Sequence, residues 1–257
     1  MCLIAFTLGQ NPHFPLVLAA NRDEVFNRPT RAMDWWRTDD GTRILAGKDL
    51  RSNGTWLAIT EDGRISAVTN VREGMTDTAE RSRGELPLRA LIEPRHQLFQ
   101  SLNNHASQYA GFNLIQLNAE SGWYYSNRDA HPGRSIFQGA FGLSNHLLET
   151  PWPKLLRLRQ ALARTVTTAD NNAEKLHREL IELLQDPTPA PDHLLPDTGV
   201  GLDTERLLSS PFITGEHYGT RATTVFTISA EGQIRVTEQS WGPMAEKAEC
   251  RQFGWQR

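Results

Sequence analysis

Cys2-Leu3-Ile4-Ala5-Phe6-Thr7-Leu8, then Gly9-Gln10-Asn11-Pro12, then Leu16-Val17-Leu18-Ala19-Ala20 running into Asn21-Arg22-Asp23-Glu24: this stretch decides how the chain folds. Both apolar runs are short and nearly continuous, as in strands buried on both faces. The Gly-Gln-Asn-Pro segment between them reads as a turn. A hairpin of this length returns its far end beside its beginning, so Arg22 or Asp23 falls next to Cys2.

Cys2 directly follows the initiator methionine. Removal of Met1, which a small second residue permits, leaves a thiol and a free α-amine on one residue. These groups titrate near about 8.5 and about 8 respectively, and the amine can activate its own side chain. A carboxylate from Asp23 would hold that amine, and a guanidinium from Arg22 would favour the thiolate. Taken singly, Cys2 reads as a small buried hydrophobe and the charged tetrad as an ion-paired strand end.

Further hairpins follow. Thr55 to Thr60 and Arg64 to Thr69 flank Glu61-Asp62-Gly63; Gly111 to Leu117 and Gly122 to Asn127 flank Asn118 to Ser121; Arg221 to Ile228 and Ile234 to Trp241 flank Ala230-Glu231-Gly232. Leu86 to Ala110 reads as two short helices broken at Glu93-Pro94. Leu155, Leu158, Leu162 and Val166 share one helix face that opens near Pro151 and Pro153. Ala173, Leu176, Leu180 and Leu184 share another, with Asp170 and Asn171 as capping candidates. The Pro-rich segment from Asp186 to Gly201 reads as a long connection or lid. Antiparallel hairpins without β–α alternation argue against a Rossmann-type sheet. The expectation is one α+β domain over residues 1–257, with two stacked sheets covered by helices.

Other site candidates lie at strand ends. Asn70 and Asn145 carry amide N–H groups suited to an oxyanion, although turns also favour Asn. Arg221 opens a C-terminal strand and can anchor a carboxylate. His146 and His217 lie near these segments but read more simply as surface or capping residues, and Trp35-Trp36 as core packing.

Composition narrows the classes. The 257 residues carry a net charge of −3, with no basic run to mark a nucleic-acid footprint. Cys2 and Cys250 are the only cysteines, too few for a disulfide framework or a C-x-x-C metal site. No zinc-type H-E-x-x-H pair or phosphate-binding glycine loop occurs, and no metal site is expected. No apolar run approaches a membrane span of about 20 residues, and no basic leader precedes the first strand, so the plain expectation is a cytosolic, reduced thiol.

Met1-Cys2, Asn21 to Glu24, Ala46-Gly47-Lys48-Asp49, Gly54-Thr55-Trp56-Leu57, Thr69 to Arg72, Ser82-Arg83-Gly84, Gly142 to Asn145, Pro151 to Lys154 and Gly219-Thr220-Arg221 together resemble the transport and Golgi organisation 2 family, also called NRDE after its tetrapeptide. The chain departs from that pattern at Ser52-Asn53, where a glycine is expected, a change expected to alter a loop and not the site. The family in turn looks like a distant relative of cysteine N-terminal nucleophile hydrolases. That resemblance implies an αββα four-layer sandwich, with Cys2 as nucleophile, Asp23 holding the amine, Asn70 and Asn145 shaping the oxyanion site, and Arg22 and Arg221 beside the nucleophile. It implies either hydrolysis of a small linear amide with no cofactor, or carriage of haem or of an acyl-lipid or acyl-CoA ligand in the same cleft, since the family is associated with haem mobilisation and acyl-lipid metabolism.

Overall fold

A computed structural model describes residues 2–74 and 79–257. Met1, on which the free-amine expectation turns, lies outside the described residues. One six-stranded antiparallel sheet is ordered β10-β1-β2-β11-β12-β13. It contains β1 (Cys2–Leu8), β2 (Leu16–Val25), β10 (Gly139–Leu143), β11 (Tyr218–Ile228), β12 (Gln233–Trp241) and β13 (Lys247–Gln256). The other, seven-stranded and also antiparallel, runs in chain order from β3 (Thr30–Arg37) through β4 (Arg43–Asp49), β5 (Leu57–Thr60), β6 (Ile65–Asn70), β7 (Phe112–Leu117) and β8 (Gly122–Ser126) to β9 (Arg134–Ile136).

The first hairpin shows why its sequence is so uniformly apolar. Ile4, Phe6, Leu8, Leu16 and Leu18 pack between the sheets with Ile59, Ile65 and Ile115 of the opposite sheet. The alternate residues Leu3, Ala5, Val17 and Ala19 face helices on the outer side. Those helices are α3 (Pro153–Thr167) and α4 (Ala173–Leu184), which contribute Leu155, Leu158, Leu162, Val166, Leu176, Leu180 and Leu184. On the far side, α1 (Leu86–Ile92) and α2 (Arg95–His105) bury Leu86, Ala90, Leu98 and Leu102 against Phe112, Leu114, Trp123 and Tyr125. The layers are therefore α, β, β, α, as expected.

The cap of α4 is Asn172, whose side chain accepts from the Lys175 N–H at 2.9 Å, and not Asp170 or Asn171. The first side chain of the charged tetrad is structural. Asn21 is buried and donates to the carbonyls of Leu184 (2.8 Å) and Pro211 (2.9 Å), tying the end of α4 to β2. The segment expected as a connection or lid includes a short turn at Asp192–Leu194 and leads into α5 (Leu202–Leu207). It is anchored: the Gly74 N–H donates to the Thr198 carbonyl (2.7 Å), and Glu205 pairs with Arg72 at 3.1 Å, both side chains buried.

Candidate active site

The register of the first hairpin sets the site. Cys2 pairs with Arg22 across β1 and β2. Strand alternation puts both side chains on the face toward the opposite sheet and sends Asp23 toward the helical layer. At this end of the molecule the two sheets leave a cavity of about 170 Å³, lined by Cys2, Arg22, Asp23, Glu24, Trp56 and Asn70 among others. Four of the six sequence candidates thus meet around one space.

Burial pushes the Cys2 thiol up from its ordinary value, so an unaided Cys2 is a poor nucleophile. The Arg22 guanidinium lies 4.2 Å over the Trp56 ring and 3.7 Å from Glu24. It is 6% exposed and its Nη1 has no hydrogen-bond acceptor. Asp23 accepts from the Thr220 hydroxyl at 2.7 Å, and burial raises its carboxyl above the usual range. Lys154, at the start of α3, donates to the Leu208 carbonyl at 2.7 Å, and burial lowers its ammonium to about 8.

Asn145 sits behind the cavity wall and not in it. It is fully buried, and its Nδ2 donates to the side-chain oxygen (3.0 Å) and carbonyl (3.2 Å) of Asn70. Its carbonyl accepts from the Arg72 N–H at 2.7 Å. With its oxygen so held, Asn70 keeps its own Nδ2 for a ligand, so one oxyanion candidate orients the other. Arg221 also departs from expectation. It occupies a bulge in β11, between Thr220, which faces Asp23, and Ala222, which faces Arg22. The bulge turns its guanidinium away from the cavity lining to donate to the carbonyls of Val25 (3.2 Å) and Arg28 (2.6 Å) and to the Thr30 hydroxyl (3.3 Å). Its role is to clamp the β2–β3 connection.

Several lining residues escaped the sequence reading. Trp56 lies over Gly47, where an added Cβ would come within 2.2 Å of the ring, so the glycine of β4 makes room for the aromatic wall. Arg83 opens a single 3-10 turn, Arg83–Glu85, docked by backbone contact: the Thr55 N–H donates to the Gly84 carbonyl at 2.8 Å, and a Cβ on Gly54 would meet Gly84 at 2.4 Å. These glycines are visible in the sequence, but nothing local signals that they touch. The Ser52-Asn53 departure reaches the site after all. Ser52 lines the cavity, while Asn53 adopts φ +57°, a conformation Asn tolerates better than most residues. Arg28 also lines the cavity and pairs with Asp49 at 2.6 Å.

No histidine lines this cavity. Among the described residues no group of three or more His, Cys, Asp or Glu side chains is placed to hold a metal ion, and no helix is long and apolar enough to cross a membrane.

Four layers with a cysteine at the start of the central hairpin define a fold of the N-terminal nucleophile hydrolase type. A solved variant of a conjugated bile acid hydrolase from Clostridium perfringens is similar to the chain at a TM-score of 0.50, with 8% identity, covering 98% of this chain and 92% of that one. Residues 1–243 match the family Transport and Golgi organisation 2. The chain is 33% identical to the Transport and Golgi organization protein 2 homologs of Bos taurus and of Homo sapiens, each alignment covering 93% of both chains. It belongs to this family.

Proposed function

We propose that the protein is a cysteine amidohydrolase acting on a small linear amide through Cys2. The observation that carries this reading is the gathering of Cys2, Arg22, Asp23 and Asn70 around one compact cavity. Once Met1 is removed, the Cys2 α-amine takes the thiol proton as Sγ attacks the amide carbonyl carbon. The new oxyanion accepts from the Asn70 Nδ2, which Asn145 holds in orientation. Arg22 offsets the charge of the thiolate, and Asp23 supports the ammonium. As the C–N bond breaks, the ammonium returns its proton to the leaving nitrogen, giving a thioester on Cys2 and a free amine. Water, deprotonated by the same α-amine, then attacks the thioester; the carboxylic acid leaves and the thiol is restored. No cofactor is required.

Carriage of haem or of an acyl lipid in the same cleft is the competing reading. A compact cavity lined by charged side chains favours a small polar head group over either. The test is intact mass on protein made at modest level in a native-like host, followed by incubation with activated amides and esters. Loss of Met1 and an acyl adduct that maps to Cys2 and is absent from Cys2→Ala are expected. Complete retention of Met1, or no adduct on a folded chain with a freed amine, defeats the proposal.

A further inference from the structure

The cavity lining carries three arginines, Arg22, Arg28 and Arg83, and three carboxylates, Asp23, Glu24 and Asp49, but their pairing is uneven. Asp49 is committed to Arg28 and to the N–H groups of Arg51 (2.9 Å) and Ser52 (3.1 Å). Glu24 lies between Arg22 (3.7 Å) and Arg28 (3.8 Å), too far from either for a hydrogen bond. Asp23 turns to Thr220. Arg83 donates through Nη1 to the Gly111 carbonyl at 3.0 Å and forms no ion pair among the described residues. The nearby Glu73 is taken by both arms of Arg128, at 2.7 and 2.6 Å.

Two guanidinium groups therefore line the Cys2 cavity without a bonded carboxylate. One of them, Arg22, is more than nine-tenths buried with an Nη1 that has no acceptor. A buried donor of this kind costs stability unless a ligand satisfies it. Planar guanidinium groups match carboxylates best.

We propose that Arg83 and Arg22 form a carboxylate-binding subsite beside Cys2. The ligand of the cavity then carries an anionic carboxylate within a few bonds of the atom that Cys2 approaches. Arg83 acts as the specificity-determining residue, since Arg22 is also stacked on Trp56. On the amidohydrolase reading, the substrate class narrows to amides that bear a free carboxylate on the acyl or the amine part. The subsite itself does not depend on turnover.

The probe pair is iodoacetate and iodoacetamide, which differ only in carboxylate against neutral amide. Alkylation of Cys2 is followed by mass in a Cys250→Ser background, and the ratio of the two rates is divided by that for N-acetylcysteine. The ratio cancels the fraction of Cys2 present as thiolate, so a change in thiol ionisation cannot imitate anion recognition. A preference for iodoacetate of about tenfold is expected, the size of one charge-assisted hydrogen bond. It should vanish in Arg83→Gln and survive in part in Arg83→Lys, each variant being first confirmed folded by thermal melting. A ratio equal to that of N-acetylcysteine, or one indifferent to Arg83, overturns the proposal. If Cys2 reacts with neither reagent, titration with acetate against acetamide decides. Saturable shifts of the Arg83 Nε–H signal with acetate alone support the subsite, and their absence refutes it. Anion preference without any amide turnover would defeat the hydrolase reading and leave the subsite standing.

Discussion

Asn145 acts on the cavity only through Asn70, and this division of labour is testable one side chain at a time. Asn70→Ala removes the donor that the proposed mechanism assigns to the oxyanion and is expected to slow formation of the Cys2 acyl adduct by about 10²–10³-fold, while alkylation by neutral iodoacetamide stays near the wild-type rate. Asn145→Ala removes the two hydrogen bonds to Asn70 from a fully buried position. It is expected to cost about 1–3 kcal/mol of stability as well as the acylation rate, read by urea unfolding. Equal acylation rates in Asn145→Ala and wild type would show that Asn70 needs no support. That the Asn21–Glu24 end of β2 returns beside Cys2 was legible in the sequence, because a tight hairpin between apolar runs admits few registers; which of Arg22 and Asp23 stands opposite Cys2 was not, and the register settles it as Arg22. Arg83 and Trp56 were not legible either. The place of Arg83 depends on a Gly54–Gly84 contact between segments far apart in the chain, and that of Trp56 on a ring that packs across the β4–β5 turn onto Gly47, a side-chain placement the strand pattern does not specify.

Among the elements, strands with strong apolar runs and marked turns were readable, as were the amphipathic helices. Strands β3, β4, β9 and β13 carry no clear signal in the sequence: β3, β9 and β13 are sheet edges, and β13 is exposed from Lys247 to Cys250 and alternates partly exposed with exposed residues only beyond. β3 also slips register between Arg31 and Asp34, which frees the Met33 N–H from its sheet partner. Glu238 reaches from β12 of the other sheet to accept from it at 2.7 Å, and Arg251 of β13 donates to the Met33 carbonyl at 3.1 Å. Burial raises the Glu238 carboxyl from 4.5 to about 7. Between these values the folded chain holds a proton that the unfolded chain gives up. Stability contributed by this group therefore falls as pH rises across the window, by about 3 kcal/mol in all. Glu238→Gln keeps the acceptor for Met33 and is expected to flatten that slope. Urea midpoints from pH 5 to 8 check this; an unchanged slope would assign the pH dependence to another group.

For the molecule as a whole, the Arg72–Glu205 pair fastens the Pro-rich connection and α5 to the end of β6, two residues beyond Asn70. Arg72 also lies 4.5 Å over the Trp152 ring, so a single guanidinium ties the end of β6 to both α5 and the start of α3. Removing one member of a buried pair leaves an uncompensated charge. Glu205→Ala is expected to cost about 3–5 kcal/mol and to open the 186–201 segment to limited proteolysis. Glu205→Ala with wild-type stability and protease resistance would show that the strap is held elsewhere.

The exposed strand β13 has a bearing on how the protein behaves in concentrated solution. Its charged side chains Lys247, Glu249 and Arg251 guard the sheet margin, and its Trp255 donates to the Glu61 carbonyl at 2.8 Å. Cutting the chain at the family boundary, residue 243, would bare β12, whose inner residues Val236, Thr237 and Gln239 are buried. The shortened chain is expected to self-associate through that open margin and to run as soluble aggregates on gel filtration. On that expectation the C-terminal strand, which lies beyond the family match, serves the molecule as a colloidal shield.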